Sequence, residues 1–179
     1  NEYLNFDNKS VRNSSSTIAK SVKKSIYHNY LHPQQKRANL PYTYSPDING
    51  DFLIRTIEAN NAATEADYAV VHFSLESEEL PSKEVFVHGA FNNYENSYEN
   101  SMAFNRKTKR YEASILLKQG FYNYQFATRN QNKELNTTEI SGSFYETENQ
   151  YTVIVYYKPF GENFQRVIGI GKGNSNLPQ

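Results

Sequence analysis

No cysteine occurs among the 179 residues, which excludes disulfides, thiolate metal centres and cysteine nucleophiles. Tryptophan is absent too, methionine occurs once, at Met102, and there is no run of about 18 apolar residues with which a helix could span a bilayer. Neither charge sign is in excess: lysine plus arginine and aspartate plus glutamate number 19 each. A nucleic-acid binder ordinarily carries a basic surplus, so nucleic acid is not the expected partner. The sequence opens on Asn1 without a methionine and reads as an excised fragment or a processed product.

What the chain has in quantity is tyrosine (15 residues) and phenylalanine (11). Both suit pleated strands and supply large contact areas, so the composition points to an all-β fold. Alternation carries the same message. Ala69, Val71, Phe73 and Leu75 share one face of a strand over residues 68–75. Tyr111, Ala113, Ile115 and Leu117 share one face over 111–117, and Tyr122, Tyr124 and Phe126 do so over 121–126. Lys118-Gln119-Gly120 between the last two predicts an antiparallel hairpin with Gly120 at positive φ. Residues 151–157 (YTVIVYY) are apolar on both faces and predict a central, buried strand. About seven strands at short spacing predict an antiparallel immunoglobulin-like β-sandwich.

The first 40 residues are polar. Ile18, Val22, Ile26 and Tyr30 sit at helical spacing, but the many serines around them are poor helix formers. Residues 58–67 (EANNAATEAD) are small, polar and aperiodic, and form the best linker candidate.

No constellation for catalysis stands out: there is no Ser-His-Asp order, nucleophile elbow, phosphate loop or paired-carboxylate spacing. The chain therefore reads as a non-enzyme with no cofactor. Asp47, Asn49, Asp51 and Glu58 match part of a calcium loop, but Phe52 stands where such a loop needs glycine, and Asn49-Gly50 reads as a turn. His28 and His32 have helical metal-ligand spacing without the accompanying HExxH grouping, so no metal site is expected. Two loops carry aromatics. The first holds Phe91, Asn92, Asn93, Tyr94 and Tyr98; the second holds Lys158, Phe160 and Phe164. Rings beside amides are one way in which sandwiches bind sugars, and both loops are candidate contact surfaces.

The segment VFVHGAFNNY followed by YEASILLKQGFYNYQF resembles the early-set immunoglobulin-like modules that bind glycogen and related glucans. Those modules usually place Trp after the Asn pair, where this chain has Tyr94. A glucan is thus the alternative ligand. Almost the whole chain, through NEYLNFDNKSVRN, PYTYSPDINGDFLIRT, EADYAVVHFSL, LLKQGFYNYQF and FYETENQYTVIVYYKPFGENFQRVIGIG, is similar to the C-terminal half of the plug protein family of the bacterial type IX secretion system in Bacteroidetes. The resemblance implies residues 1–62 as the end of a first β domain, 63–172 as an immunoglobulin-like second domain and 173–179 as a polar tail. It further implies a periplasmic, non-enzymatic protein associated with the outer membrane. Its partner would be the translocon barrel, whose periplasmic side it plugs.

Overall fold

The computed structural model describes residues 3–44 and 47–175. Asn1, Glu2, Ser45, Pro46 and positions 176–179 of the expected tail lie outside the described residues. The chain is all-β, with helix only as isolated turns, and groups into two compact units, one up to Ser143 and one from Phe144.

The first unit contains β1 (Leu4–Asp7), β2 (Ile18–Lys23), β3 (Tyr27–Leu31), β4 (Gln34–Gln35), β5 (Phe52–Ile54), the turn α1 (Ala62–Glu65), β6 (Tyr68–Glu76), β7 (Glu84–His88), β8 (Ser101–Asn105), β9 (Arg110–Lys118), β10 (Gly120–Arg129), β11 (Leu135–Asn136) and α2 (Thr138–Ser141). The strands run β1-β10-β7-β8-β9-β6-β3-β2, with β5 and β11 also on β10 and β4 on β6. The helical stripe from Ile18 to Tyr30 is instead the antiparallel pair β2–β3. The sheet is mixed rather than purely antiparallel, because β3 and β4 pair β6 in parallel. A parallel return needs a long connection, and the chain between Leu31 and Tyr68 provides one.

Strand β8 joins the β7 and β9 parts of the sheet. Its first residues pair β7 (Val85↔Met102, Phe86↔Ser101), and its later ones pair β9 (Ala103↔Glu112, Phe104↔Tyr111, Asn105↔Arg110).

β6 buries the four residues that its alternation selects. Tyr122, Tyr124 and Phe126 are buried as well. However, β9 and β10 do not form the expected hairpin. Both edges of β9 are occupied, by β6 and β8, while β10 pairs β1, β5, β7 and β11. Gln119-Gly120 therefore carries the chain from β9 to a strand that lies beyond β8 and β7 in the sheet order. Gly120 is required by contact rather than by a positive φ: a Cβ there would lie 2.6 Å from the Leu53 carbonyl oxygen.

The border expected at residues 62/63 does not separate two units. β1 and β5, which precede it, are laddered to β10, which follows it, so the main-chain hydrogen bonds tie both sides together. Within the expected linker, Asn61 caps α1: its Oδ1 accepts from the Ala63 amide at 3.1 Å, while Glu65 Oε2 accepts from the Asn61 amide at 2.7 Å.

The mixed sheet is nearly closed into a barrel-like shape, and its core is aromatic. Phe6, fully buried on β1, stacks on Tyr122 at 4.9 Å between centroids and meets Phe73 and Tyr124 edge-on at 5.7 and 6.0 Å. Tyr124 in turn contacts Phe73 at 5.2 Å and Phe126 at 5.6 Å, both edge-on. Ile140 of α2 completes the cluster.

The second unit is a hairpin of β12 (Gln150–Tyr157) and β13 (Arg166–Asn174). The expectation that YTVIVYY is a buried central strand is overturned: every residue of β12 is exposed. Its ladder has β13 alone as partner, and a two-stranded ribbon has no layer of its own to cover either face. The strand buried on both sides is β10, from Tyr122 to Thr128. Residues 173 and 174, assigned to the tail, extend β13 through Gln150↔Asn174.

Because Phe6 joins rings from β6 and β10, Phe6→Ala is expected to cost about 3–5 kcal/mol by urea unfolding. A loss below about 1 kcal/mol would contradict its place at the centre of the core.

Candidate functional site

The first predicted loop follows β7. A single 3-10 turn over Ala90–Asn92 leads into Asn93 and Tyr94, both in the left-handed region at φ 54° and 57°. Side chains hold this shape. Asn92 Nδ2 donates to the carbonyls of Val87 and Glu95 at 3.4 and 3.2 Å, and the Tyr94 hydroxyl donates to the Gly50 carbonyl at 3.0 Å. The Phe91 ring meets Tyr122 edge-on at 5.8 Å, turned towards the core cluster. Buried Asn100, which sequence reasoning missed, closes the loop from below: its Nδ2 donates to Val87 O at 2.7 Å and Glu95 O at 2.9 Å. Phe91 and Asn92 thus turn into the fold and the Tyr94 hydroxyl is bonded to Gly50, while Asn93, Tyr98 and the Tyr94 ring are exposed. Beside them Phe91, Asn93, Ser97 and Leu116 line an open groove of about 300 Å³.

The second predicted loop belongs to the other unit, as the tip of the β12–β13 hairpin. The Glu162 amide donates to the Pro159 carbonyl at 3.2 Å, with Gly161 at φ +85°. Phe160 stands fully exposed, and Phe164 lies under the Arg166 guanidinium at 5.2 Å. Arg166 also forks onto Glu162, so the tip pairs its own charges. Lys158 is exposed at the end of β12.

Asp47, Asn49, Asp51 and Glu58 do not converge on an ion. Asp47 and Asp51 accept local amides, from Asn49 and Phe52. Glu58 instead accepts from Ser10, at 2.9 Å, and from Gln119, at 2.8 Å. Among the described residues no group of three or more histidines and carboxylates is placed to hold a metal.

A third feature was not legible in the sequence. His28 on β3 and His72 on β6 meet through Nδ1 and Nε2 at 2.8 Å, and His72 Nδ1 lies 2.8 Å from Ser114 Oγ on β9. Tyr30 stacks on His72 at 4.0 Å. The alternation of β6 does place His72 off the core face, but the parallel β3–β6 pairing that brings His28 to it leaves no local signal. This line stands on a sheet face; neither the groove beside Phe91 nor the one lined by Asn5, Asp7 and Ser15 reaches it. Burial, then the neighbouring His28 and Lys24, hold His72 below the usual histidine range. Burial does the same to His88, partly offset by its hydrogen bond to Asn96.

A depressed histidine is neutral in the fold and protonates more readily in the unfolded chain. Its contribution is therefore present above the unfolded value of about 6.5 and is lost as pH falls below it. The urea midpoint is expected to drop as pH falls from about 7 to 5, and His72→Gln with His88→Gln should flatten that slope. An unchanged slope in the double variant would locate the acid sensitivity elsewhere.

No protein-family profile matches this chain, and no curated protein matches it. It is similar to a hypothetical protein from Parabacteroides merdae ATCC 43184, known from a crystal structure, at 33% identity and a TM-score of 0.84. The likeness covers 98% of this chain and 45% of that one, so this chain spans less than half the length of its relative.

Proposed function

We propose that this chain is a non-enzymatic docking module of the type IX protein secretion system that closes the periplasmic side of the outer-membrane translocon. The observation that carries the reading is the β12–β13 hairpin, which exposes Tyr151, Val153, Ile154 and Tyr156 along one strand and Phe160 at its tip. Contiguous exposed apolar surface of this kind marks a protein contact. The ordered motifs shared with the plug family supply the choice of partner. In this reading the first unit is an early-set immunoglobulin-like sandwich, supported by strands that close over the Phe6–Tyr122–Tyr124 cluster. A stopper works by occupying space, so its body has to be stiff and its attachment reversible; edge-on aromatic packing provides the stiffness. No cofactor enters this role, and the location is the periplasm.

A second reading, a glucan-binding module, has one observation in its favour: the groove beside Asn93, with Phe91 and Leu116 in its wall and Ser97 as a hydroxyl partner.

Tagged protein purified from detergent-solubilised envelopes is expected to bring the translocon barrel with it. Phe160→Ala and Tyr98→Ala, with folds intact, should lower that recovery about tenfold, the size of a modest interface hot spot. Absence of the barrel from the wild-type preparation sinks this reading. Retardation on a glucan affinity gel that Asn93→Ala abolishes would establish the second reading in its place.

A further inference from the structure

His28 and His72 stand on neighbouring parallel strands, at the end of the sheet where β2 and β3 are the outermost pair. Both rings are partly exposed, so an ion can reach them from solvent. His28 Nδ1 and His72 Nε2 are 2.8 Å apart, the ring centroids are 5.1 Å apart and the ring planes lie within 20° of each other. The rings therefore meet end to end, nitrogen facing nitrogen. A contact this short holds one proton between the two nitrogens, because two lone pairs or two N–H groups would repel.

The surroundings prepare this pair for a metal ion. Ser114 Oγ lies 2.8 Å from His72 Nδ1, which gives His72 the outer partner that ligating histidines ordinarily have. With the proton on Nδ1 directed at Ser114, the Nε2 lone pair points at His28. Tyr30, stacked on His72 at 4.0 Å and within 4° of parallel, fixes the plane of the ring. The shared proton has somewhere to go. Moved to the far nitrogen of the ring that carries it, His28 Nε2 or His72 Nδ1, it leaves both imidazoles neutral with two converging lone pairs. Around a tetrahedral ion with bonds of about 2.0–2.1 Å, two such nitrogens stand about 3.3 Å apart, so the rings need to part by only about 0.5 Å. Imidazole nitrogen selects zinc, copper and nickel, whereas calcium and magnesium take oxygen. Among the described residues no third histidine or carboxylate joins the pair, and the Lys24 ammonium disfavours positive charge at His72. The other coordination positions therefore belong to water, and the ion exchanges with solvent.

We infer that His28 Nδ1 and His72 Nε2 form a two-histidine site for one divalent transition-metal ion of the zinc, copper and nickel class, which ties β3 to β6. The site lies in the first unit and is independent of the docking reading, which the hairpin of the second unit carries.

The test is calorimetric titration of the purified, metal-stripped chain, carrying no polyhistidine tag, with Zn²⁺ and separately with Ca²⁺. The expected result is one Zn²⁺ per chain and no response to Ca²⁺. Excess Zn²⁺ should raise the thermal midpoint by roughly 2–4 °C. His28→Gln and His72→Gln should each abolish saturable binding, and Ser114→Ala should weaken it about tenfold without abolishing it. Because a histidine variant can disturb its strand, the wild-type chain is also followed by nitrogen NMR of its imidazoles. Zn²⁺ should move the His28 Nδ1 and His72 Nε2 resonances and leave those of His32 and His88 in place. An absence of saturable Zn²⁺ binding overturns the inference and leaves the pair as a hydrogen bond alone. So does binding that survives both histidine substitutions, that moves the resonances of His32 or His88 instead, or that Ca²⁺ reproduces.

Discussion

The large mixed sheet depends on one amide. Gln119, almost fully buried, stands where the chain leaves β9 for β10. Its Oε1 accepts from the Asp67 amide at 2.8 Å, and its Nε2 donates to Glu58 at 2.8 Å and to the Lys9 carbonyl at 3.1 Å. Its backbone donates to Asp67 and accepts from Arg55. Asn8 secures the next residue, taking the Gly120 amide on its side chain and giving its own amide to the Gly120 carbonyl. A two-residue hairpin satisfies its backbone by pairing the strands it joins. A crossing to a non-neighbouring strand cannot, so side chains distant in sequence meet those groups here. The crossing frees β10 to be covered on both faces.

The same chemistry recurs through the structure. Asn123, fully buried on β10, accepts from the Ile48 and Gly50 amides at 2.8 and 3.1 Å and so fixes the turn before β5. Asn29 reaches the Val11 carbonyl at 2.9 Å, and Asn100 anchors the loop around Tyr94. The buried amides of Asn8, Asn29, Asn100, Gln119 and Asn123 thus serve irregular segments that have no ladder partner of their own.

Period-two alternation was a sound guide wherever one face meets the core: β6 and the Tyr122–Phe126 face of β10 follow it residue by residue. It could not tell neighbours. The β9–β10 junction has the composition of a hairpin, and only the occupation of both β9 edges, by β6 in the register Val71↔Ile115 and by β8 in the register Ala103↔Glu112, rules one out. Nor could it separate two causes of an apolar strand. β10 and β12 both carry non-polar residues on both faces, yet one is enclosed and the other exposed. Of the candidate contact residues, Asn92 donates within its own loop and the Tyr94 hydroxyl donates to the Gly50 carbonyl, while the Tyr94 ring stays exposed. Asn93, Tyr98, Lys158, Phe160 and Phe164 remain available to solvent or a partner.

Strand β8 has a mechanical meaning. Since its first residues pair β7 and its later ones pair β9, the β10 and β6 parts of the sheet are joined by main chain as well as by rings. Any slip of β7 relative to β9 has to tear peptide hydrogen bonds, so load placed on one part of the sheet is passed to the other.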